Sequence, residues 1–213
     1  MLYPVIFIIG FLLSGIWFAI NMFLSVKLRN KKNLLMFSPM FSAIIPAIII
    51  WLLMGDHPFH FEKLFADREF ADFTCVLTAF TLLTTCALVF CKSQSKGTES
   101  RSGLTEMCVE AACMEIPQRA MMQAFILWLL LKWNLNPIAC ILINAFIWCG
   151  DILFQAVIIQ KHISVRKLIF EILSSFLFSL GIGYVFYATK CIILPMVMHA
   201  LERFITNYNR NES

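Results

Sequence analysis

About seven apolar runs, broken by short charged segments, constrain this chain more than any other feature. They cover residues 2–26, 33–54, 72–91, 104–131, 137–159, 168–188 and 191–207. A helix needs roughly 20 apolar residues to cross the hydrocarbon core of a bilayer. Inside that core each backbone N–H and C=O must be satisfied without water, and for runs of this length the solution is a bundle of helices. Composition agrees: 60% of the 213 residues are hydrophobic, 14% are charged and mean hydropathy is +0.80. Soluble chains carry about 25% charge. The expected fold is all-α, a polytopic transmembrane helical bundle of about seven spans, in an integral membrane protein whose first partner is the lipid bilayer.

Lysine and arginine orient such a bundle, because they collect on the cytoplasmic side. Segments 27–32, 92–106 and 160–167 and the C-terminal end hold most of them, while 55–71, 132–136 and 189–190 hold few. The bias predicts the N-terminus outside and the C-terminus in the cytoplasm. Residues 1–26 lack a basic leader and a small-residue cleavage site, so they read as a retained span. The polar linker 92–103, rich in Ser and Gly, separates three N-terminal helices (1–91) from a four-helix core (104–207) and a short tail (208–213). A net charge of +4 gives no reason to expect a nucleic-acid partner. None of the eight cysteines forms a CxxC pair, so neither a disulfide framework nor a zinc knuckle is indicated.

One run departs from the apolar pattern. Glu110-Ala-Ala-Cys-Met-Glu-Ile-Pro-Gln-Arg-Ala-Met-Met-Gln123 places carboxylates, a proline and a guanidinium where lipid-embedded helix is expected. Glu115 and Arg119, four apart, share a helical face and can pair. Pro117 removes a backbone donor and crowds the carbonyl near Cys113, which predicts a kink. Ionisable residues at membrane depth mark functional sites by default. The plainer alternative is a buried structural ion pair.

Depth groups further polar residues with this pair. Glu115 lies roughly 18 Å from the cytoplasmic start of its run, and Asp151 and His199 each roughly 12 Å from the cytoplasmic ends of theirs, at 1.5 Å per residue. Arg119 sits one turn beyond Glu115, and Arg203 one turn nearer the cytoplasm than His199. A carboxylate beside a histidine in a low-dielectric cavity can hold and deprotonate water. A second donor can stabilise the oxyanion of an attacked amide. That outlines a peptide-bond hydrolase working inside the membrane. One histidine with two carboxylates is a weak metal set, and a single intramembrane histidine disfavours haem, so no cofactor or metal is expected. A proton or ion path is a third use of such residues, disfavoured because no inverted repeat is visible. Glu115 with Arg119 could also simply brace the helix, with Asp151 pairing either arginine. Gly181 and Gly183 read as close-packing positions, Cys113 and Cys149 as small apolar fillers, and His57, His60 and His162 as solvated loop residues.

Three stretches carry a family resemblance. Glu115-Ile-Pro-Gln-Arg119 resembles the second Glu and the Arg of the EExxxR motif of the CAAX protease and bacteriocin-processing (CPBP, or Abi) family. Leu180 to Leu201, a Gly-rich helix and an apolar run ending on His199, resembles that family's last two core helices and its HxxxN motif. Phe146-Ile-Trp-Cys-Gly-Asp151 falls where FxxxH is expected. The resemblance covers about residues 104–207 and implies an intramembrane glutamate-dependent endopeptidase, placed in a bacterial plasma membrane, that cleaves membrane-associated peptide or protein tails. In that family the first Glu and the second-motif His activate water, while the last His and the Asn support the oxyanion. This sequence departs from the pattern at three places: Met114 takes the first Glu position, Gly150 (or Asp151, with a shift of one) the His position, and Arg203 the Asn position. Activity would then need Glu115 or Asp151 as base, with Glu110 a remoter candidate. The resemblance therefore implies catalytic residues Glu115, Arg119, Asp151, His199 and Arg203. It equally admits an inactive relative that binds a peptide or membrane protein as an immunity or regulatory factor.

Overall fold

The computed structural model describes residues 2–62, 68–92, 101–158 and 165–208. Nearly all of them are helical, and among them the only β pairing is an isolated antiparallel bridge between Phe59 and Cys191. The helices are α1 (Leu2–Leu28), α2 (Lys32–Leu35), α3 (Ser38–Met54), α4 (Arg68–Lys92), α5 (Arg101–Glu115), α6 (Ala124–Lys132), α7 (Ala139–Ile158), α8 (Val165–Thr189) and α9 (Ile193–Tyr208). Between α5 and α6 the chain stays helical but widens into a π-helical segment, Ile116–Gln123.

Five helical stretches are long and apolar enough to cross a membrane: Leu2–Leu28, Asn33–Met54, Glu69–Phe90, Ala139–Val157 and Leu168–Thr189. Their outward faces carry large exposed side chains such as Leu12, Ile45, Leu52, Val76 and Leu83, as lipid contact requires. The remaining expected runs differ from these in kind. Residues 104–131 are divided among α5, the π-helical segment and α6, and α9 is a 16-residue amphipathic helix. Both spend much of their surface on protein rather than on lipid.

Packing explains why. The π-helical segment occupies the middle of the bundle, with α3, α7, α1 and α8 around it, and α9 lies along α5 and touches α4. Helix α4 runs along α8, and α8 along α7. The N-terminal helices are thus interleaved with the later ones instead of forming a separate layer. Met121, Met122, Ile126, Leu130 and Ile147 are fully buried around the central rod.

Pro117 sits at the start of the widened segment, and the chain passes it without leaving the helix. A proline cannot donate to the ladder and crowds the preceding turn; a wider turn relieves that crowding, and such π-bulges recur at functional sites. The Trp51 indole N–H donates to the Ala120 carbonyl at 2.8 Å, giving a group in the disturbed ladder a partner from α3.

At the other end of the bundle a short strap closes over the α8–α9 turn. Helix α3 stops at Gly55, whose φ of 65° is a left-handed C-cap that glycine adopts without strain. The chain then crosses to Lys190, also left-handed at φ 52°. Backbone bonds from Ile192 N–H to Pro58 O (2.9 Å) and from His60 N–H to Lys190 O (3.4 Å) fasten it. Asp56 pairs with Lys190 and, at 2.7 Å, with His60, whose other ring nitrogen meets Glu62. His57 and His60 stack at 4.1 Å. The expectation of a solvated loop histidine gives way for His60, which the strap folds onto Asp56 and Glu62, whereas His57 stays exposed with its ring stacked on His60; His162 lies outside the described residues.

Candidate functional site

Glu115, the last residue of α5, is fully buried. One carboxylate oxygen takes the Arg119 Nε–H at 3.2 Å and the other faces His199 Nδ1 at 2.6 Å. Arg119 is fully buried as well, and a guanidinium with donors on every nitrogen requires acceptors all round. Its Nη1 donates to Gln123 Oε1 at 3.1 Å and its Nη2 to Ser179 Oγ at 3.2 Å. Gln123 passes the chain on, donating from Nε2 to the Gly183 carbonyl at 2.7 Å. The network thus ties the central rod to α8 and α9. A Cβ on Gly183 would stand 3.0 Å from Arg119 Nη1 and 3.3 Å from Gln123 Oε1, so this glycine makes room for the site. Gly181 instead packs against Thr81 of α4, as a helix-packing position does.

In front of the network lies a cavity of about 550 Å³. Its walls come from the ends of α4, α5, α7, α8 and α9 that adjoin segments 93–100 and 159–164 and the C-terminus, the basic end of the bundle. His199, Ser179, Gln118 and Trp148 line its inner part, and Glu171 and Asn207 its outer part. From Asn207 to His199 along α9 is roughly 12 Å at 1.5 Å per residue.

Helical rotation decides which residues of the central rod reach this space. Met107, Glu110, Met114 and Gln118 share the stripe that lines the cavity. Glu115 is one residue on, about 100° round the helix, and points into the buried network behind. His199 belongs to both regions, lining the cavity while its Nδ1 is held by Glu115. If the Nδ1–H donates to the carboxylate, a neutral ring keeps its lone pair on Nε2, available as base or acceptor. Phe178 packs on the ring at 4.9 Å and restrains it.

The sequence-derived set therefore divides. Glu115, Arg119 and His199 come together on direct contacts. Arg203 is at the cavity mouth, exposed, with its Nε 3.4 Å from Glu202 Oε2. Asp151 lies apart from these contacts. It sits on the flank of the cavity-facing stripe of α7, which carries Trp148, Ile152 and Gln155, and it accepts a hydrogen bond from Ser14 of α1. Gly150 beside it faces Phe11 of α1, 3.1 Å from where its Cβ would be. Equal depth brought Asp151 to the right level, but depth does not fix rotation.

Other participants were not singled out from sequence. Gln123 was visible only as the fourth residue after Arg119, and Ser179 had no local signal. Thr74, Thr78, Thr81 and Thr85 did have one, a spacing of four, three and four that puts all of them on one buried face of α4. Among the described residues no group of three or more His, Cys, Asp and Glu side chains is disposed to hold a metal ion. The described cysteines are free.

The chain matches no family model, no curated protein and no solved structure.

Proposed function

We propose that this chain is a CPBP-like integral membrane protein that receives a segment of a membrane-associated peptide or protein in its cavity and holds it without cutting, as an immunity or regulatory factor does. One observation carries the reading. The carboxylate that could activate water, Glu115, has no exposed surface and both oxygens engaged, while Met114 occupies the cavity-lining position. A methionine takes no proton, and a carboxylate locked between Arg119 and His199 braces the fold instead of meeting substrate. In this reading the seven runs are seven spans, the N-terminus is outside, and the cavity opens toward the cytoplasm of a bacterial cell.

A second reading, a working intramembrane endopeptidase, is favoured by His199. Its Nδ1 is oriented by a carboxylate and its ring borders a cavity that Glu110 and Glu202 also line. A histidine so held can act as a general base on water, with Glu115 as its positioning partner in the manner of a carboxylate–histidine pair.

The purified protein in nanodiscs, given a membrane-tethered peptide library, tests both. Capture of intact peptides, weakened by His199→Ala, is the expected result. Defined cleavage products that vanish in both Glu115→Gln and His199→Ala would overturn the non-cleaving reading and establish the peptidase.

A further inference from the structure

The π-helical segment carries two glutamines with opposite roles. Gln123 is spent inside the network, accepting from Arg119 and donating to the Gly183 carbonyl. Gln118 is 3% exposed and lines the cavity, yet its side-chain amide makes no hydrogen bond with the described residues. It is not sealed in, either. The partnerless amide of Asn144 is closed off completely, whereas that of Gln118 keeps surface on the cavity. Helical position aims it there: Gln118 extends the stripe of Met107, Glu110 and Met114 by one further turn, as the innermost cavity residue of the central rod. A primary amide offers donors on nitrogen and an acceptor on oxygen. Here both are left for the occupant of the cavity.

We propose that the inner end of the cavity recognises the main chain of the held segment, with Gln118 donating to a peptide C=O and accepting from a peptide N–H. The inference rests on the preceding reading, that the protein holds a peptide, and makes Gln118 its specificity-determining residue. Chemistry selects this occupant over a charged one. A cation would use only the amide oxygen and an anion only the nitrogen, whereas the main chain supplies one N–H and one C=O per residue. In an extended segment the N–H and C=O of one residue leave the chain on the same side, so a single side-chain amide can meet both. One turn toward the mouth from Gln118 and Trp148 the wall is apolar, with Met114 and Ile152. A charge passing them would give up water at high cost, and a peptide group far less. Recognition of this kind tolerates many side-chain sequences.

The test uses the full chain in phosphatidylcholine nanodiscs and a dye-labelled, lipid-anchored hexa-alanine peptide. Companion peptides replace each main-chain amide in turn by an ester, which keeps the shape but has no N–H and a poorer carbonyl acceptor. Binding is read by fluorescence anisotropy. At least one ester should bind roughly fivefold more weakly than the all-amide peptide, the usual worth of one hydrogen bond. Gln118→Met should weaken the all-amide peptide by a similar factor and remove the ester penalty at one such position. Its melting temperature without peptide should stay that of the wild type, because the amide holds no other described part of the protein. A lower melting temperature with the ester penalties unchanged would assign Gln118 to packing and overturn the inference. Equal binding of all the peptides to the wild type overturns it too. So does capture of library peptides without binding of hexa-alanine, which would assign recognition to side chains. These three results leave the holding function intact. Capture of no library peptide overturns that function, and the inference with it.

Discussion

The molecule contains the same small constellation twice, a carboxylate between a basic side chain and a histidine. Glu115 stands between Arg119 and His199 in the middle of the bundle, and Asp56 between Lys190 and His60 in the strap at one end. Their surroundings separate them. The Glu115 and Arg119 side chains are 0% exposed, whereas those of Asp56 and Lys190 are 20% and 30% exposed. Charges out of water are costly and hold together only with complete partners; charges near water are cheap to place and cheap to lose. The inner set therefore fixes geometry, and the outer set adjusts a loop.

The largest effect should follow from breaking the inner pair on one side. Arg119→Met leaves Glu115 buried without its cation and should cost about 3–5 kcal/mol, seen as a lower melting temperature in nanodiscs. Adding Glu115→Gln should recover much of the loss, because the uncompensated charge goes with it. A double variant no better than Arg119→Met would show that the guanidinium's bonds to Gln123 and Ser179 matter more than the ion pair. A smaller effect is expected at Gly183, where a Cβ would press on Arg119 and Gln123. Gly183→Ala should cost about 1–3 kcal/mol by overpacking, and in an Arg119→Met background most of that penalty should disappear. Additive losses would place Gly183 outside the network.

The two regions also differ in how far they could be read from sequence. Helical class and the apolar runs were legible because bilayer thickness imposes a length. Glu115, Arg119 and His199 were legible because charge is rare in such runs and spacing of four is local. The position of Asp151 on the flank of the cavity-facing stripe was not legible, because depth is a one-dimensional coordinate and the cavity is set by helical rotation as well. The consequence of Pro117 was half legible: the disturbance was expected, but not the widening into a π-helical segment, nor the bond that Trp51, far away in the chain, makes to Ala120 within it. The strap was invisible, since Asp56 and Lys190 are brought together by two left-handed turns that local sequence does not link.

That strap supplies the smallest effect and the sharpest contrast in pH behaviour. Burial alone would raise the Asp56 carboxyl, but hydrogen bonds from Lys190, His60 and the His57 backbone outweigh it and hold the group well below the usual carboxylate range. A carboxylate lowered on folding stabilises the fold above its unfolded pKa, about 3.9, and loses that contribution as pH falls through the folded value. The clasp should therefore be intact at neutral pH and weaken progressively below about pH 4, by no more than about 1 kcal/mol for a partly exposed pair. Hydrogen exchange at the His60 and Ile192 amides, which bond across the strap, reads this directly once corrected for intrinsic rates. Protection in the wild type should decline below pH 4 toward the level of Asp56→Asn, which should itself change little over that range. At neutral pH, high salt should loosen the wild-type strap in the same direction by screening the pair, while the inner network, out of reach of ions, stays protected. Parallel pH profiles for wild type and Asp56→Asn would remove Asp56 as the titrating group. The strap would then be held by its backbone bonds alone, and the likeness between the two constellations would be one of composition without a shared mechanics.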